Sequence, residues 1–287
     1  MRWLITGKDG QLAKSLANFF DTKNEDYILL SKEELDVTDE TQVKIVLQKY
    51  TPEVVINAAA WSDVDRAEFE YPRAYAVNAL GPRFLAETTS HMGCKLVQIS
   101  TDYVFSGDLE KPWKINSMTE PVNKYGISKL EGENFVKFFN PNHSYVIRTA
   151  WLYSKWKKNF VKSIAKLALE TENKIQVVND QIGQPTSASE LSCYIYDVVS
   201  KKLPCGIYHG TNAGQASRYE LAVKIFELVG CDSSRVNPVK TRSLKTIARR
   251  PKYSVLEHPD LSQFGIYEMS HWRTALSRDI DAIVENF

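Results

Sequence analysis

The sequence predicts an α/β chain built on a doubly wound parallel sheet with a smaller C-terminal substrate lobe, and three observations predict it. Up to about Ala150, short β-branched runs alternate with helical patterns, as parallel strands joined by crossover helices require. A glycine pair, Gly7 and Gly10, stands where the first strand gives way to the first helix. Beyond Trp151 the alternation becomes irregular and rich in loops. The chain therefore divides into residues 1–150 and residues 151–287, with one or two elements of the second part returning to the main sheet.

Apolar runs place strands at Arg2 to Thr6, Tyr27 to Leu30, Val54 to Asn57, Lys95 to Ser100 and Tyr145 to Arg148. Helices begin near Gly10, Thr38, Tyr71 or Pro72, and Tyr125, the last running to about Phe139. The second part gives helices over Asn159 to Glu170, Ser187 to Val199 and Arg218 to Val229, with strands at Ile175 to Asn179 and Gly206 to Gly210. Its tail from Val236 carries basic residues, prolines and a final helix near Trp272 to Val284. Ligands of such sheets bind outside the carboxyl ends of the strands, near the switch in strand order.

Composition sets outer bounds. With 287 residues, 43% of them apolar and 25% charged, the chain can bury a full core. A net charge of +1 gives no electrostatic case for nucleic acid or an anionic membrane, and the basic residues near Lys240 to Lys252 are a local patch. The four cysteines are spaced as core thiols, matching neither a zinc pattern nor a disulfide framework. A strand begins at Arg2 and no run of 18 apolar residues exists, so the expected address is the cytoplasm.

Gly7-Lys8-Asp9-Gly10-Gln11-Leu12-Ala13 follows a strand and opens a helix, the context of a dinucleotide fingerprint in a Rossmann-like sheet. Gly7 permits the tight turn and Gly10 lets the backbone approach a pyrophosphate, with Ala13 in place of a third glycine. After the second strand, Ser31 and Lys32 suit a ribose 2′-phosphate, which favours NADPH, while Glu33 and Glu34 keep NADH open. Asp36 and Val37 precede the next helix and read either as an adenine contact or as an ordinary helix start. Asn57, Ala58, Ala59 and Ala60 close the third strand with small residues, for cofactor approach or for tight helix packing.

Tyr125 and Lys129 form a Tyr-x-x-x-Lys pair, and a spacing of four puts both on one helical face. An ammonium beside a phenol lowers the phenol's pKa from about 10, which would make Tyr125 a proton donor. The ordinary alternative is a solvated surface pair. The strand ending in Ser100-Thr101-Asp102 favours the catalytic reading.

Taken together, Gly7-x-x-Gly10-x-x-Ala13, Ser100-Thr101-Asp102-Tyr103-Val104-Phe105 and Tyr125-x-x-x-Lys129 resemble the extended short-chain dehydrogenase/reductase superfamily. The stretches Asn57 to Glu68, Val77-Asn78-Ala79, Asp180 to Thr186, and Arg250-Pro251-x-x-Ser254-x-Leu256 are similar to the dTDP-4-dehydrorhamnose reductase family. That resemblance implies NADPH-dependent reduction of a 4-keto group on dTDP-4-dehydro-L-rhamnose, with Thr101, Tyr125 and Lys129 as catalytic trio. It implies cofactor contacts from Gly7, Gly10, Gln11, Leu12, Ser31, Lys32, Asp36, Val37, Asn57 to Ala60, Asn78, Ser100, Tyr125 and Lys129. Substrate contacts would come from Ser62, Asp102, Tyr103, Val104, Trp151 and Arg250, the last on the diphosphate.

Bland readings stand beside several of these: Asp102 as an acceptor of loop amides, Trp151 as a core aromatic, and Arg250 as solvated tail. Related dehydratases carry an acidic pair after the Thr, and Tyr103 following Asp102 disfavours elimination chemistry. Lys14-Ser15 offers no early-helix carboxylate, so no metal is expected, and the assembly expected is a monomer or a dimer without a bridging metal. Glu257-His258-Pro259-Asp260 lacks the basic residue expected after Leu256, which leaves the sugar nucleotide less defined than the reaction. Two other functions remain open: a non-catalytic NADP-binding regulatory subunit, like the vertebrate partner of methionine adenosyltransferase, and another nucleotide-sugar reductase or epimerase.

Overall fold

A computed structural model describes residues 1–243, 246–266 and 268–287. Its first half runs β1 (Arg2–Thr6), α1 (Gln11–Lys23), β2 (Asp26–Leu30), α2 (Glu40–Tyr50), β3 (Val54–Asn57), α3 (Val64–Phe69), α4 (Tyr71–Tyr75), α5 (Gly81–His91), β4 (Lys95–Thr101), α6 (Lys124–Phe139) and β5 (Ser144–Thr149). The second half adds β6 (Leu152–Tyr153), α7 (Phe160–Glu170), β7 (Ile175–Val178), β8 (Ile182–Gly183), β9 (Thr186–Ser187) and α8 (Ala188–Ser200). It continues with β10 (Gly206–His209), β11 (Ala216–Ser217), α9 (Arg218–Leu228), β12 (Val236–Val239) and α10 (Trp272–Val284).

Six parallel strands form the main sheet in the order β10-β5-β4-β3-β1-β2. Side chains alternate across it, so Trp3 and Ile5 enter one core with α1 and α8, while Leu4 and Val55 enter the opposite core with α2 and α5. Burial on both faces explains why these strands read as continuous apolar runs. The chain turns one way from β1 to β2 and the other way to β3, and that switch opens the crevice above Gly7. A third core joins α7, α9 and α10 around Trp272 and Phe226.

The single helix expected from Tyr71 or Pro72 is instead three pieces. It starts early at α3, breaks at Glu70, and passes through a π-helical turn over Ala76–Leu80 into α5. Pro82 has no N–H for the carbonyl of Asn78, so the turn widens there. The tail also holds a strand the sequence reading lacked: among the described residues β12 pairs only with β7, an edge position that tolerates Pro238. The cysteines are free, but Cys193 is exposed where a core thiol was expected. Among the described residues no helix is long and apolar enough to cross a membrane.

Candidate active site

Gly7 has φ +75°, and a Cβ there would lie 2.9 Å from the backbone of Ala59, so only glycine fits the turn. Gly10 donates its N–H to the Gly7 carbonyl at 2.7 Å and starts α1 without a side-chain cap, leaving the first-turn amides of that helix open. These groups border a cavity of about 350 Å³ whose wall includes Asp36, Val37 and Ala58 to Ala60. Three lysines also line it: Lys8, Lys32 and, from the second half of the chain, Lys157. A tight amide-rich cradle ringed by ammonium groups fits the pyrophosphate and phosphates of a dinucleotide.

Several expected cofactor residues stand behind that wall. The Leu12 side chain is in the core, Asn57 bonds to Thr6 and Gln98, and Asn78 holds Trp61 and Ser128. Ser100 donates to Glu133 at 2.5 Å. Ser31 does not line the cavity; its N–H donates to Glu34 at 2.9 Å, so Lys32 alone of that pair faces the cleft. Burial raises the pKa of Asp36, but hydrogen bonds from Thr38 outweigh that and lower it; the carboxylate walls the cleft, while the helix start expected of it falls to Asp39, which caps α2. Gln11 accepts from Ser154 at 3.2 Å and Asn159 at 2.9 Å, tying α1 to the start of α7.

Thr101 ends β4, and Asn123 caps α6 by accepting the Gly126 N–H, which fixes Tyr125 and Lys129 over that strand end. The Lys129 ammonium is buried, donates to the Ile99 carbonyl at 2.6 Å, and burial lowers its pKa to about 8 while Glu133 pulls it back up. Tyr125 departs from expectation. Burial pushes its phenol up from 10, the Asp102 and Tyr103 charges add to that, and only the Thr101 hydroxyl pulls it down. Lysine does not acidify it here because the ammonium turns to a carbonyl instead. Behind the trio, Glu133 and Arg148 form a fully buried pair at 2.7 Å, with Arg148 also donating to the Ile115 carbonyl and lying over Phe105.

Among the residues expected to meet substrate, Asp102 is buried with Oδ1 accepting from Thr101 at 3.0 Å and Oδ2 without a hydrogen-bond partner among the described residues. Burial raises its pKa to about 6, against the pull of Ser254, Thr101 and Arg218. Tyr103 meets the Tyr125 ring edge-on at 5.8 Å. Ser62 is exposed, whereas Val104 is wholly buried against Phe105 and Trp113, so its expected substrate contact is replaced by a core role. Trp151 has φ +43° and packs flat on Gly183, where a Cβ would come within 2.5 Å of the indole. The Arg250 fork is closed on Asp65 through two bonds of 2.7 Å, which lowers the Asp65 pKa to about 2.

Sequence reasoning missed Lys157, the Glu133–Arg148 pair and Arg218, and named Ser254 only as part of a family motif, without a role. Glu133 stands four residues after Lys129, a helical spacing that could have signalled it. Nothing in the local sequence marks Arg218, whose guanidinium lies 3.6 Å from the centre of the Trp151 ring.

The doubly wound sheet, the glycine cradle and a Thr-Tyr-Lys trio at the end of the fourth strand define an oxidoreductase of the short-chain dehydrogenase/reductase kind. The family described as RmlD substrate binding domain matches residues 1–284. A dTDP-4-dehydrorhamnose reductase of Streptomyces griseus is 38% identical over 98% of this chain and 94% of its own. A dTDP-4-keto-6-deoxy-D-glucose reductase of Streptomyces niveus is 36% identical over 96% of each chain. Among solved structures, dTDP-4-dehydrorhamnose reductase of Bacillus anthracis in complex with NADP superposes with a TM-score of 0.93 at 40% identity, covering 98% of both chains. The chain belongs to the dTDP-4-dehydrorhamnose reductase family.

Proposed function

We propose that the protein reduces the 4-keto group of dTDP-4-dehydro-L-rhamnose, giving dTDP-L-rhamnose, with NADPH as reductant. The observation that carries this reading is the Thr101 hydroxyl placed between the Asp102 carboxylate and the Tyr125 phenol, with the buried Lys129 one helical turn further on. Residues 1–150 would hold the dinucleotide and residues 151–287 mainly the sugar nucleotide. The names of the relatives support a dTDP-linked keto sugar, and the NADP in the Bacillus anthracis structure supports the cofactor.

NADPH, when bound in the glycine cradle, would supply a hydride for the carbonyl carbon, the C=O electron pair moving onto oxygen. Tyr125 gives its phenolic proton to that oxygen. Lys129 would swing its ammonium from the Ile99 carbonyl toward the tyrosinate, and Thr101 would turn its hydroxyl from Asp102 to the growing negative charge. Asp102 keeps a free oxygen lone pair for a sugar hydroxyl. Lys32, rather than Ser31, would meet the 2′-phosphate. With no carboxylate at Lys14-Ser15, the assembly proposed is a monomer or a dimer without a bridging metal.

The test follows the absorbance of reduced nicotinamide with dTDP-4-keto sugars, NADPH and NADH. Tyr125→Phe should bind cofactor normally and lose about 10²- to 10⁴-fold in turnover. A variant that keeps more than about a tenth of the rate removes Tyr125 as the acid. Tight NADP binding with no oxidation on any dTDP-4-keto sugar would leave the regulatory-subunit reading instead.

A further inference from the structure

We infer that Arg218, and not Arg250, is the cation that receives the diphosphate of the nucleotide-sugar substrate, presented edge-on by the Trp151 ring. The inference rests on the reading of the substrate as dTDP-linked. Both guanidinium groups face the Tyr103 hydroxyl, so they flank one spot beside the catalytic trio. Their states differ. Arg250 spends two nitrogens on the two Asp65 oxygens and one of them again on the Ala248 carbonyl, which neutralises its charge and uses its fork. The Ala248 amide also binds Asp65, so this pair serves to pin the 248–250 segment to the start of α3.

Arg218 has no salt bridge among the described residues. Its guanidinium lies 3.6 Å from the Trp151 ring centre and 5.0 Å from that of Phe160. An aromatic face stabilises the cation without using its N–H groups, which lie in the guanidinium plane and remain free to donate along its edge. Arg218 feels the Asp102 carboxylate only at a distance, with no direct ion pair among the described residues, and an incoming anion on its free edge offsets the cost of its desolvation.

The support beneath it is rigid. Arg218 is the first residue of α9, fixed by a Ser217–Glu220 capping box with bonds of 2.7 and 3.0 Å. Ser217 pairs with Ile182, next to Gly183, whose missing side chain lets the indole lie flat. Trp151, Gly183 and Arg218 thus form one stack contributed by three separate segments. The diphosphate is the one strongly anionic group of such a substrate that needs an unpaired fork with parallel donors.

The experiment titrates the NADP-loaded protein calorimetrically with thymidine diphosphate and, separately, with thymidine. Arg218→Gln should weaken the diphosphate by about 10- to 100-fold, the value of a lost charge-assisted bond, and leave thymidine unchanged. Arg218→Lys should fall between, because it restores charge without the fork. In steady state Arg218→Gln should raise KM by a similar factor with kcat within about threefold of wild type. Unchanged diphosphate affinity, or an equal loss for thymidine, overturns the assignment to Arg218. A wild-type protein that binds neither ligand overturns the dTDP-sugar reading itself.

Discussion

Burial moves Tyr125 and Lys129 in opposite directions, the phenol up from 10 and the ammonium down to about 8, so the lysine loses its proton first as pH rises. Tyr125 then stays protonated throughout the working range, and the group predicted to limit the proposed reaction at alkaline pH is Lys129. Its folded-state pKa is lowered, so the ammonium is present below about pH 8 and lost above it. The expected result is a kcat/KM for NADPH that is level below about pH 7 and falls about tenfold per unit above about pH 8, since this parameter reports the free protein. Lys129→Met should be slower and lose that limb; a limb that survives the substitution belongs to another group. At this scale the spacing correctly placed Tyr125 and Lys129 on one helical face, and the expected lowering of the Tyr125 pKa was wrong. Spacing shows that two side chains share a face, but it says nothing of how deeply the face is buried or which carbonyl the ammonium finds.

Helix α6 is anchored to the sheet by Glu133, one turn beyond Lys129, which binds Arg148 of β5 and Ser100 of β4 with almost no exposure. Removing one partner of such a pair strands a buried charge and costs about 3–5 kcal/mol. Glu133→Gln should therefore lose stability on that scale in urea unfolding. It should also move the alkaline limb to lower pH, because Glu133 holds the Lys129 pKa up. A stable variant with an unmoved limb would show that α6 is held by packing alone. The elements themselves were largely legible: β1, β3 and α10 have the expected bounds, because buried runs and strong helical periodicity leave little choice. The two-residue strands β6, β8, β9 and β11 were not, since pairs that short have no periodicity to read and are fixed by tertiary contacts. Arg218 was missed for the same reason, as it acquires its meaning only when β11 brings it to Trp151.

Across the whole molecule, the cleft at the glycine turn, the proposed dinucleotide site, lies on a seam between the two halves. β10 pairs with β5, α8 packs on α1 in a shared core, and Lys157 reaches the wall beside Gly7. Gln11, the first residue of α1, accepts from Asn159, which in turn caps α7 by accepting the Lys162 N–H. A ligand bound by the α1 amides and Lys157 therefore restrains the turn at 154–160 as well as the glycine turn. Saturating NADP at a hundred times its Kd should stabilise the fold by about 2.7 kcal/mol. If the seam transmits that restraint, hydrogen exchange should slow at Phe160 to Ser163, beyond the residues that line the cleft. Asn159→Ala should weaken this remote protection while the amides after Gly10 stay protected by ligand. Equal exchange at α7 with and without NADP would confine the cofactor's influence to the first half and leave Lys157 as a bystander on the cleft rim.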